Sequence, residues 1–519
     1  MSKTFYITTP IYYINAEPHL GHSYTTLAAD IIARYRRQRG EKVYFLTGTD
    51  EHGEKVASVA LENGVEPQVW ADRIVDKYKA LWKLLNITND GFIRTTDKQH
   101  VEVVQKIFAK LKQEKWVYKS EYTGMYCVPC ETFWTETELG EVDTKGKHVC
   151  PDCGRGIEKL SEESYFFKLS AFKEQLLSYY AENPGFLQPS YRASEIKNFV
   201  EGVGTTEPLR DLSVSRTKVK WGIPVEDDPA HTVYVWFDAL INYITAAGYG
   251  ESDGRFETLW PADLHLVGKE IFRFHSVIWP GVLKALGLPL PKKVYAHGWW
   301  TSEGEKMSKS KHNFVNPEDI VKQYSVDAYR YFIFREIPFG ADGDFSRKHL
   351  HERYNSDLAN DLGNLVSRTL TMIEKYYDKK VPAPCGIQDN ELSAKVKQME
   401  ARVAEAYENV DLQHVLVLIW ELITGANKYI ESTAPWKLAK ESDPKLNTVL
   451  YNLAETLRVV SLYLAPFMPG ASKDIEVQLG LKSDRVKLSW KEAVKWGKLI
   501  PGTMVSKLPP MFPRKKDGE

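Results

Sequence analysis

Phe5-Tyr6-Ile7-Thr8-Thr9, Pro18-His19-Leu20-Gly21-His22 and the run from Ser23 to Arg39 follow one another near the start of the chain, and their reading decides the fold. The first piece is apolar and β-rich. The last carries Leu27, Ile31 and Tyr35 at helical spacing until Gly40 stops it. Strand, turn and helix come in that order, with more of the same behind. Two histidines at a helix entrance, with Gly21 letting backbone and ligand approach, suit an anion or a nucleotide phosphate. They also suit plain capping and packing, and the turn alone does not choose.

Working outward, Lys42-Val43-Tyr44-Phe45-Leu46-Thr47 reads as a short buried strand that ends in the polar loop Gly48-Thr49-Asp50-Glu51-His52-Gly53. A helix carrying Val104, Ile107, Phe108 and Leu111 on one face follows. This alternation predicts a parallel, doubly wound α/β sheet, whose ligands bind beyond the strands' carboxyl ends, where Asp50 would stand. The rhythm breaks between Trp116 and Ala230, where short β-like pieces and four cysteines occur. It resumes with Thr232-Val233-Tyr234-Val235-Trp236, Leu264-His265-Leu266-Val267-Gly268 and Val294-Tyr295-Ala296-His297-Gly298. After Pro317 the pattern is almost wholly helical. Leu358, Leu362 and Leu365 begin one amphipathic helix, Val415 to Trp420 lie in another, and Leu450 to Leu464 form a third that Pro466 stops. The expected organisation is a Rossmann-type domain in two halves, 1–115 and 231–316, split by an insert at 116–230. A segment at 317–362 and a helical bundle with a polar tail at 363–519 complete it.

The 519 residues exceed what one core holds, and about three domains is the natural expectation. With 43% apolar and 26% charged residues the composition is that of an ordinary globular protein. A formal net charge of −1 gives no bulk basic character for gripping nucleic acid, although it leaves room for a local basic surface. No basic n-region precedes an apolar core, and no stretch approaches the ~18 apolar residues of a membrane span. A cytoplasmic location without membrane contact is expected.

Cys127 and Cys130 form one Cys-x-x-Cys pair and Cys150 and Cys153 another, while Cys385 stands apart. Two such pairs match a closed tetrahedral zinc site in which each tight turn supplies two thiolates. Four thiolates leave no open position, so this zinc would fold the insert rather than catalyse. The second chemical stretch is Gly304-Glu305-Lys306-Met307-Ser308-Lys309-Ser310-Lys311. It reads either as a solvated charge run or as a loop that closes over a polyphosphate, with Lys306 and Lys309 neutralising charge as pyrophosphate leaves.

The His-x-Gly-His turn after the first strand, joined to Lys306-Met307-Ser308-Lys309-Ser310 after the last, resembles the signature pair of the class I aminoacyl-tRNA synthetases. The spacing around both is similar to the methionine-specific family. The lysine motif is intact, and Leu20 stands where the commonest first motif has Ile. The likeness runs nearly end to end. It implies that methionine and ATP give methionyl-adenylate and pyrophosphate, after which the methionyl group passes to the terminal adenosine of tRNA(Met), the initiator included. It implies a monomer, a stem-contact role for 317–362 and anticodon binding for the helical bundle. His19, His22, Lys306 and Lys309 would be the catalytic set. Gly21, Gly268, Glu270 and Ser308 would join them around ATP, with Mg2+ accompanying the triphosphate. The methionine pocket implied consists of Ile11, Tyr13, Trp236, Ala239, Leu240, Tyr243, Ile271 and His275, the last two as i and i+4 on one helix. Asp50 would pair with the substrate ammonium. Asn364 and Arg368 would donate to anticodon base edges, and Trp436 would be a stacking platform or else a cap on the bundle's core.

Three rivals fit less well. Synthetases for leucine, isoleucine or valine carry a large editing insert that would lengthen the chain greatly. A small-molecule nucleotidyltransferase needs neither the cysteine insert nor a helical domain. A tRNA-binding protein without activity has no chemical need for His19, His22, Lys306 and Lys309 together.

Overall fold

The computed structural model describes residues 4–127, 132–134, 139, 142, 148–151, 154–203, 209–302, 305–306, 315–385, 390–481 and 488–516. Contacts divide the chain into two units. One comprises Met1–Pro18, Val43–Lys83 and Asn89–His297; the other comprises His19–Lys42, Leu84–Thr88 and Gly298–Glu519.

β1 (Phe5–Tyr13) is the central strand of the first unit because Tyr6, Ile7, Thr8 and Thr9 can all be buried, two on each face. The chain continues through α1 (Leu20–Gln38), β2 (Val43–Asp50) and β3 (Gly91–Arg94). Among the described residues six parallel strands form the sheet, in the order β3, β2, β1, Leu264–Gly268, Val294–His297, Leu187–Gln188. The winding runs one way from β1 through β2 and β3 and the other way through Leu264–Gly268 and Val294–His297. It reverses between β1 and Leu264–Gly268, the place where such sheets open a crevice beyond their carboxyl ends. The parallel sheet and the helical C-terminal portion expected from the sequence are both present.

β1 is irregular where it approaches that edge. Its register with β2 steps from Thr8↔Leu46 to Ile11↔Gly48, which places an extra residue around Thr9-Pro10. Pro10 has no N–H to give the ladder, and the bulge re-aims Ile11 and Tyr13. Gly48 makes room for them. A Cβ there would collide with the Ile93 carbonyl oxygen and press on Ile11 Cγ2.

The run Thr232–Trp236 is not a strand of this sheet. Thr232 and Val233 end an antiparallel strand, Asp228–Val233, paired with Pro224–Val225 and Ser215–Arg216. Val235 and Trp236 begin a helix that reaches Ala247. Their β-prone side chains are accommodated because this helix is apolar on nearly every side, so burial overrides propensity. The segment 116–230 also has two characters. Val117–Cys127 and Glu158–Phe167 form a long antiparallel pair. Further on, Leu176, Tyr180, Phe186, Leu187, Ile196 and Val200 belong to the main core of the sheet, and Leu187–Gln188 is its edge strand.

The second unit holds α1, a small sheet of Trp300–Ser302, Glu305–Lys306 and Gly343–Phe345, and the C-terminal helices. One helical run extends from Arg347 to Tyr377, widening to a π-helix over Tyr354–Gly363, so it passes through 362 and 363 without a break. The helix Lys445–Leu464 is buried all round from Val449 onward. α1 belongs here through polar and apolar contacts alike. Tyr35 stacks on Tyr407 at 3.7 Å, and Ser23 Oγ lies 2.6 Å from the Tyr329 hydroxyl.

Arg330, fully buried on the helix Val326–Arg335, joins four segments of this unit. Its Nε donates to the Phe467 carbonyl at 2.7 Å and its Nη1 to the Leu85 carbonyl at 2.9 Å. Nη2 donates to the Asp30 carboxylate of α1 at 2.7 Å and to the Pro466 carbonyl at 2.8 Å. Asp30 also accepts from Arg34 and from Thr88. Burial alone would raise the Asp30 carboxyl, but the Arg330 and Arg34 charges and the Thr88 hydroxyl outweigh it and hold it below the usual range. Removing one partner of such a pair leaves a buried charge uncompensated. Arg330→Ala is therefore expected to cost about 3–5 kcal/mol, and Arg330→Met nearly as much despite its bulk. Denaturant unfolding monitored on the second unit measures both.

Candidate functional site

Asp50 is the last residue of β2, opposite Tyr13 in the register and buried. The loop beyond it is held from both sides. Glu51 accepts from Arg94 Nε at 2.7 Å and Nη2 at 2.9 Å, from Thr49 Oγ1 at 2.6 Å and from Thr96 Oγ1 at 2.6 Å. Its own N–H donates to Thr95 Oγ1, and Trp221 Nε1 donates to its carbonyl. A fully buried carboxylate with four donors is a fixed post, so the chain on either side of it is fixed as well.

The helix Val235–Ala247 carries Trp236, Ala239, Leu240 and Tyr243 at steps of three, one and three, which places them on one face. Ala239, Leu240, Tyr243 and His275 are buried; Ile11, Tyr13, Trp236 and Ile271 are half-buried and pack against the main core. A rim of half-buried apolar groups over a buried floor is what an apolar cleft requires. Trp236 stacks on Phe274 with centroids 3.9 Å apart.

Tyr243, His275 and the Ile271 carbonyl form a hydrogen-bonded chain. His275 Nδ1 donates to the Ile271 carbonyl at 2.9 Å, so its Nε2 is the acceptor for the Tyr243 hydroxyl at 2.7 Å. Burial pushes His275 down to about 4, and the ring is neutral at pH 7. His265, hydrogen-bonded to Thr8 at 2.7 Å and 4.3 Å from the Tyr243 ring, is likewise held well below its ordinary value, by burial and then by His275. The floor of the cleft is thus aromatic, polarizable and uncharged. That suits a thioether, whose sulfur is soft and accepts hydrogen bonds weakly. The run holding Ile271 and His275 is not a regular α-helix. It opens as 3₁₀ over Lys269–Ile271 and is π over Phe274–Ile278, and the wider turn is bridged by the His275–Ile271 bond itself.

Gly268 ends its strand opposite His297, and the Glu270 carboxylate folds back over its α-carbon. A Cβ at 268 would collide with both Glu270 oxygens, so glycine is required for that approach.

In the second unit His19 and His22 form a capping box at the start of α1. Gly21 N–H donates to His19 Nδ1 at 3.0 Å, and His19 N–H donates to His22 Nδ1 at 3.2 Å; the rings lie 3.8 Å apart. With both Nδ1 atoms accepting, the proton of each neutral ring sits on Nε2, a donor of the kind a phosphate oxygen needs. Burial and then the neighbouring His19 hold His22 well below the ordinary histidine value. Capping and phosphate binding, alternatives on the sequence, use different nitrogens and are compatible. Lys306 has its backbone paired with Thr301; Ser308 and Lys309 lie outside the described residues.

Asn364 and Arg368 lie one turn apart on the helix Asn364–Tyr377. The Arg368 guanidinium stands 5.9 Å from the centre of the Trp436 ring and pairs with the exposed Glu431 at 2.7 Å. Trp436 is 41% exposed, so it does not cap the bundle's core. An exposed ion pair holds by about 0–1 kcal/mol and can give way to a base.

Cys127 and Cys150, one from each pair, are buried together with Trp134, Leu139 and Ile157 in a small separate core. Gly154 N–H returns to the Cys150 carbonyl at 2.8 Å, closing a tight turn. Cys130 and Cys153 lie outside the described residues, and no group of three metal-ligating side chains occurs among the described ones. Two buried thiols, Cys127 at a strand end and Cys150 on a tight turn, fit half of a four-thiolate site.

The reading of the sequence missed Glu51, Arg94, His52, His100 and Asp238. The run Thr49-Asp50-Glu51-His52 carried the signal, since three titratable residues after a buried strand need partners; which partners, the sequence does not say.

The family described as class I tRNA synthetases (M) matches residues 5–370, and the anticodon-binding domain of tRNA ligases matches residues 389–504. The chain is 53% identical over 519 residues to a methionine–tRNA ligase of Caldanaerobacter subterraneus subsp. tengcongensis, covering 99% of this chain and 79% of that one. It is 45% identical over 529 residues to the enzyme of that name from Streptomyces coelicolor, covering 99% and 97%. In structure it is similar to Mycobacterium tuberculosis methionyl-tRNA synthetase in complex with methionyl-adenylate. The TM-score is 0.93 at 40% identity, covering 99% of this chain and 100% of that one.

The neutral His275 has a consequence for stability. Its value is lower folded than unfolded, so the unfolded chain takes up the proton first as pH falls; the contribution is complete above about 6.5 and is lost down to about 4. Between pH 7.5 and pH 5 wild type is expected to lose on the order of 2 kcal/mol through this group, a share absent from His275→Gln. Chemical denaturation at the two pH values measures it.

Proposed function

Because the chain belongs to the methionine family of class I aminoacyl-tRNA synthetases, we propose that the residues gathered above divide its reaction among them. The activity itself is that of a methionine–tRNA ligase: methionine and ATP give methionyl-adenylate and pyrophosphate, then methionyl-adenylate and tRNA give methionyl-tRNA and AMP.

The observation that carries the assignment is the Tyr243–His275–Ile271 hydrogen-bonded chain under the apolar helix face. The methionine side chain lies against Trp236, Ala239, Leu240 and Tyr243, with Ile11, Tyr13, Ile271 and His275 completing the wall. The Tyr243 proton is committed to His275, so the sulfur is recognised by polarizable rings rather than by a strong donor. Asp50 pairs with the substrate ammonium. The substrate carboxylate is ionised at pH 7 and attacks the α-phosphorus without a general base, so the protein's task is positioning and charge stabilisation. His19 and His22 donate from Nε2 to phosphate oxygens, and Lys306 and Lys309 neutralise charge on the departing pyrophosphate, with Ser308 between them. Gly21 admits the nucleotide to the backbone, and Gly268 and Glu270 hold the ribose.

Zinc, bound by Cys127, Cys130, Cys150 and Cys153, supplies folding energy to the insert; magnesium accompanies ATP as its counter-ion. Asn364, Arg368 and Trp436 read the anticodon of tRNA(Met), initiator and elongator alike. We assign a monomer working in the cytoplasm; no helix among the described residues is long and apolar enough to cross a membrane.

ATP–pyrophosphate exchange with each amino acid in turn tests this reading. Methionine alone should support it; exchange driven by leucine or valine, or none, overturns the assignment. Trp436→Ala should leave methionine-dependent exchange intact and lower tRNA charging about tenfold or more, the worth of one stacked base. Metal analysis of the purified chain is expected to find zinc at about one per chain, and Cys127→Ser to lower it.

A further inference from the structure

Asp238 is a buried carboxylate with none of the roles assigned above. It stands in the first turn of the helix Val235–Ala247, fully shielded from solvent. Two imidazoles reach it from separate elements. His52 Nδ1 lies 2.7 Å from its Oδ2, and His100 Nε2 lies 2.7 Å from its Oδ1. His52 follows Asp50 by two residues, and His100 sits on the helix Lys98–Gln113. His100 Nδ1 is 3.3 Å from Thr245 Oγ1, two turns beyond Asp238 on the same helix. Trp221 meets the His52 ring edge-on at 5.4 Å and closes the arrangement from outside. Burial alone would raise the Asp238 carboxyl, but the two histidines outweigh it and keep it below its ordinary value.

We propose that Asp238, clamped by His52 and His100, is a positioning residue that fixes the separation between the Asp50 carboxylate and the helix face of Trp236, Ala239, Leu240 and Tyr243, and so sets the length of the amino acid accepted. The proposal rests on the reading of Asp50 as the ammonium partner and of that face as the side-chain pocket. Asp238 adjoins Ala239 in sequence, and His52 is two residues from Asp50. Helix and loop cannot drift apart without breaking a hydrogen bond to a buried charge, which is a costly rupture. A substrate gripped by its ammonium at one end and its thioether at the other is measured by that separation. An apolar pocket by itself discriminates one methylene by only about 10–200-fold, so a rigid frame has selectivity to protect.

The test is steady-state exchange kinetics on the full chain with methionine and with ethionine, which is one methylene longer. In Asp238→Asn one acceptor oxygen becomes a donor facing a donor. The KM for methionine should rise about tenfold, the KM for ATP should hold, and the preference for methionine over ethionine in kcat/KM should fall about fivefold or more. His100→Ala should give the same pattern, and His100→Gln, whose amide nitrogen stands where Nε2 stood, should restore the preference. A fall in kcat with the methionine KM and the methionine-to-ethionine ratio unchanged in both Asp238→Asn and His100→Ala overturns the clamp. Asp50→Asn separates the two levels. If it leaves the methionine KM unchanged, the underlying reading of the pocket fails; if it raises that KM while the Asp238 and His100 variants keep full selectivity, only the clamp fails.

Discussion

A single guanidinium, that of Arg330, holds together the second unit of this protein. Its donors go to α1, to the segment 84–88 and to the turn at Pro466 and Phe467, pieces far apart in the chain. Apolar packing can bring such pieces together but does not fix their registry, because one apolar contact resembles another. A fully buried planar ion with every acceptor in place does fix it, since any slip strands a charge away from water. The consequence reaches the chemistry. α1 is anchored at Asp30, near its middle, while its entrance carries His19 and His22. A helix entrance is only as steady as the rest of its helix.

The proposed methionine site rests on a different device, the absence of charge at its two buried imidazoles. His265 and His275 are both neutral because burial makes the imidazolium costly; the Ile271 carbonyl sets the tautomer of His275, and Thr8 is hydrogen-bonded to His265. Asp50, buried at the end of β2, is the carboxylate for which pairing with the substrate ammonium is proposed. The Asp238 carboxylate, held by His52 and His100, takes the geometric role proposed for it. His265, His275 and Asp238, all buried in one unit, are all shifted downward, which leaves the two imidazoles neutral and the carboxylate charged.

Much of this was legible in the sequence, in uneven measure. β1, β2, Leu264–Gly268 and Val294–His297 are long enough and apolar enough to announce themselves, and the His19 and Lys306 stretches are specific as a pair. Gly91–Arg94 and Leu187–Gln188 were not legible, since the first carries only Phe92 and Ile93 between a glycine and an arginine and the second spans two residues. Val235 and Trp236 were misread because a helix buried on all sides and a buried strand share a composition. The partners of Glu51 and Asp238 were invisible for a further reason. Arg94, His52 and His100 meet them only through tertiary contact, and nothing in the spacing of a chain says which histidine will face which carboxylate.

The placement of β1 bears on how the protein comes to exist at all. Its Thr8 lies beside His265, and 257 residues of chain separate the two. At about 5–20 residues per second, a ribosome needs on the order of 10–50 s to deliver that neighbour after β1 has emerged. Throughout the interval this largely buried strand has β2 on one side and an unpaired edge on the other, which is the kind of surface that recruits a wrong partner. The exposure of that edge during synthesis is set by the strand order rather than by the stability of the completed sheet.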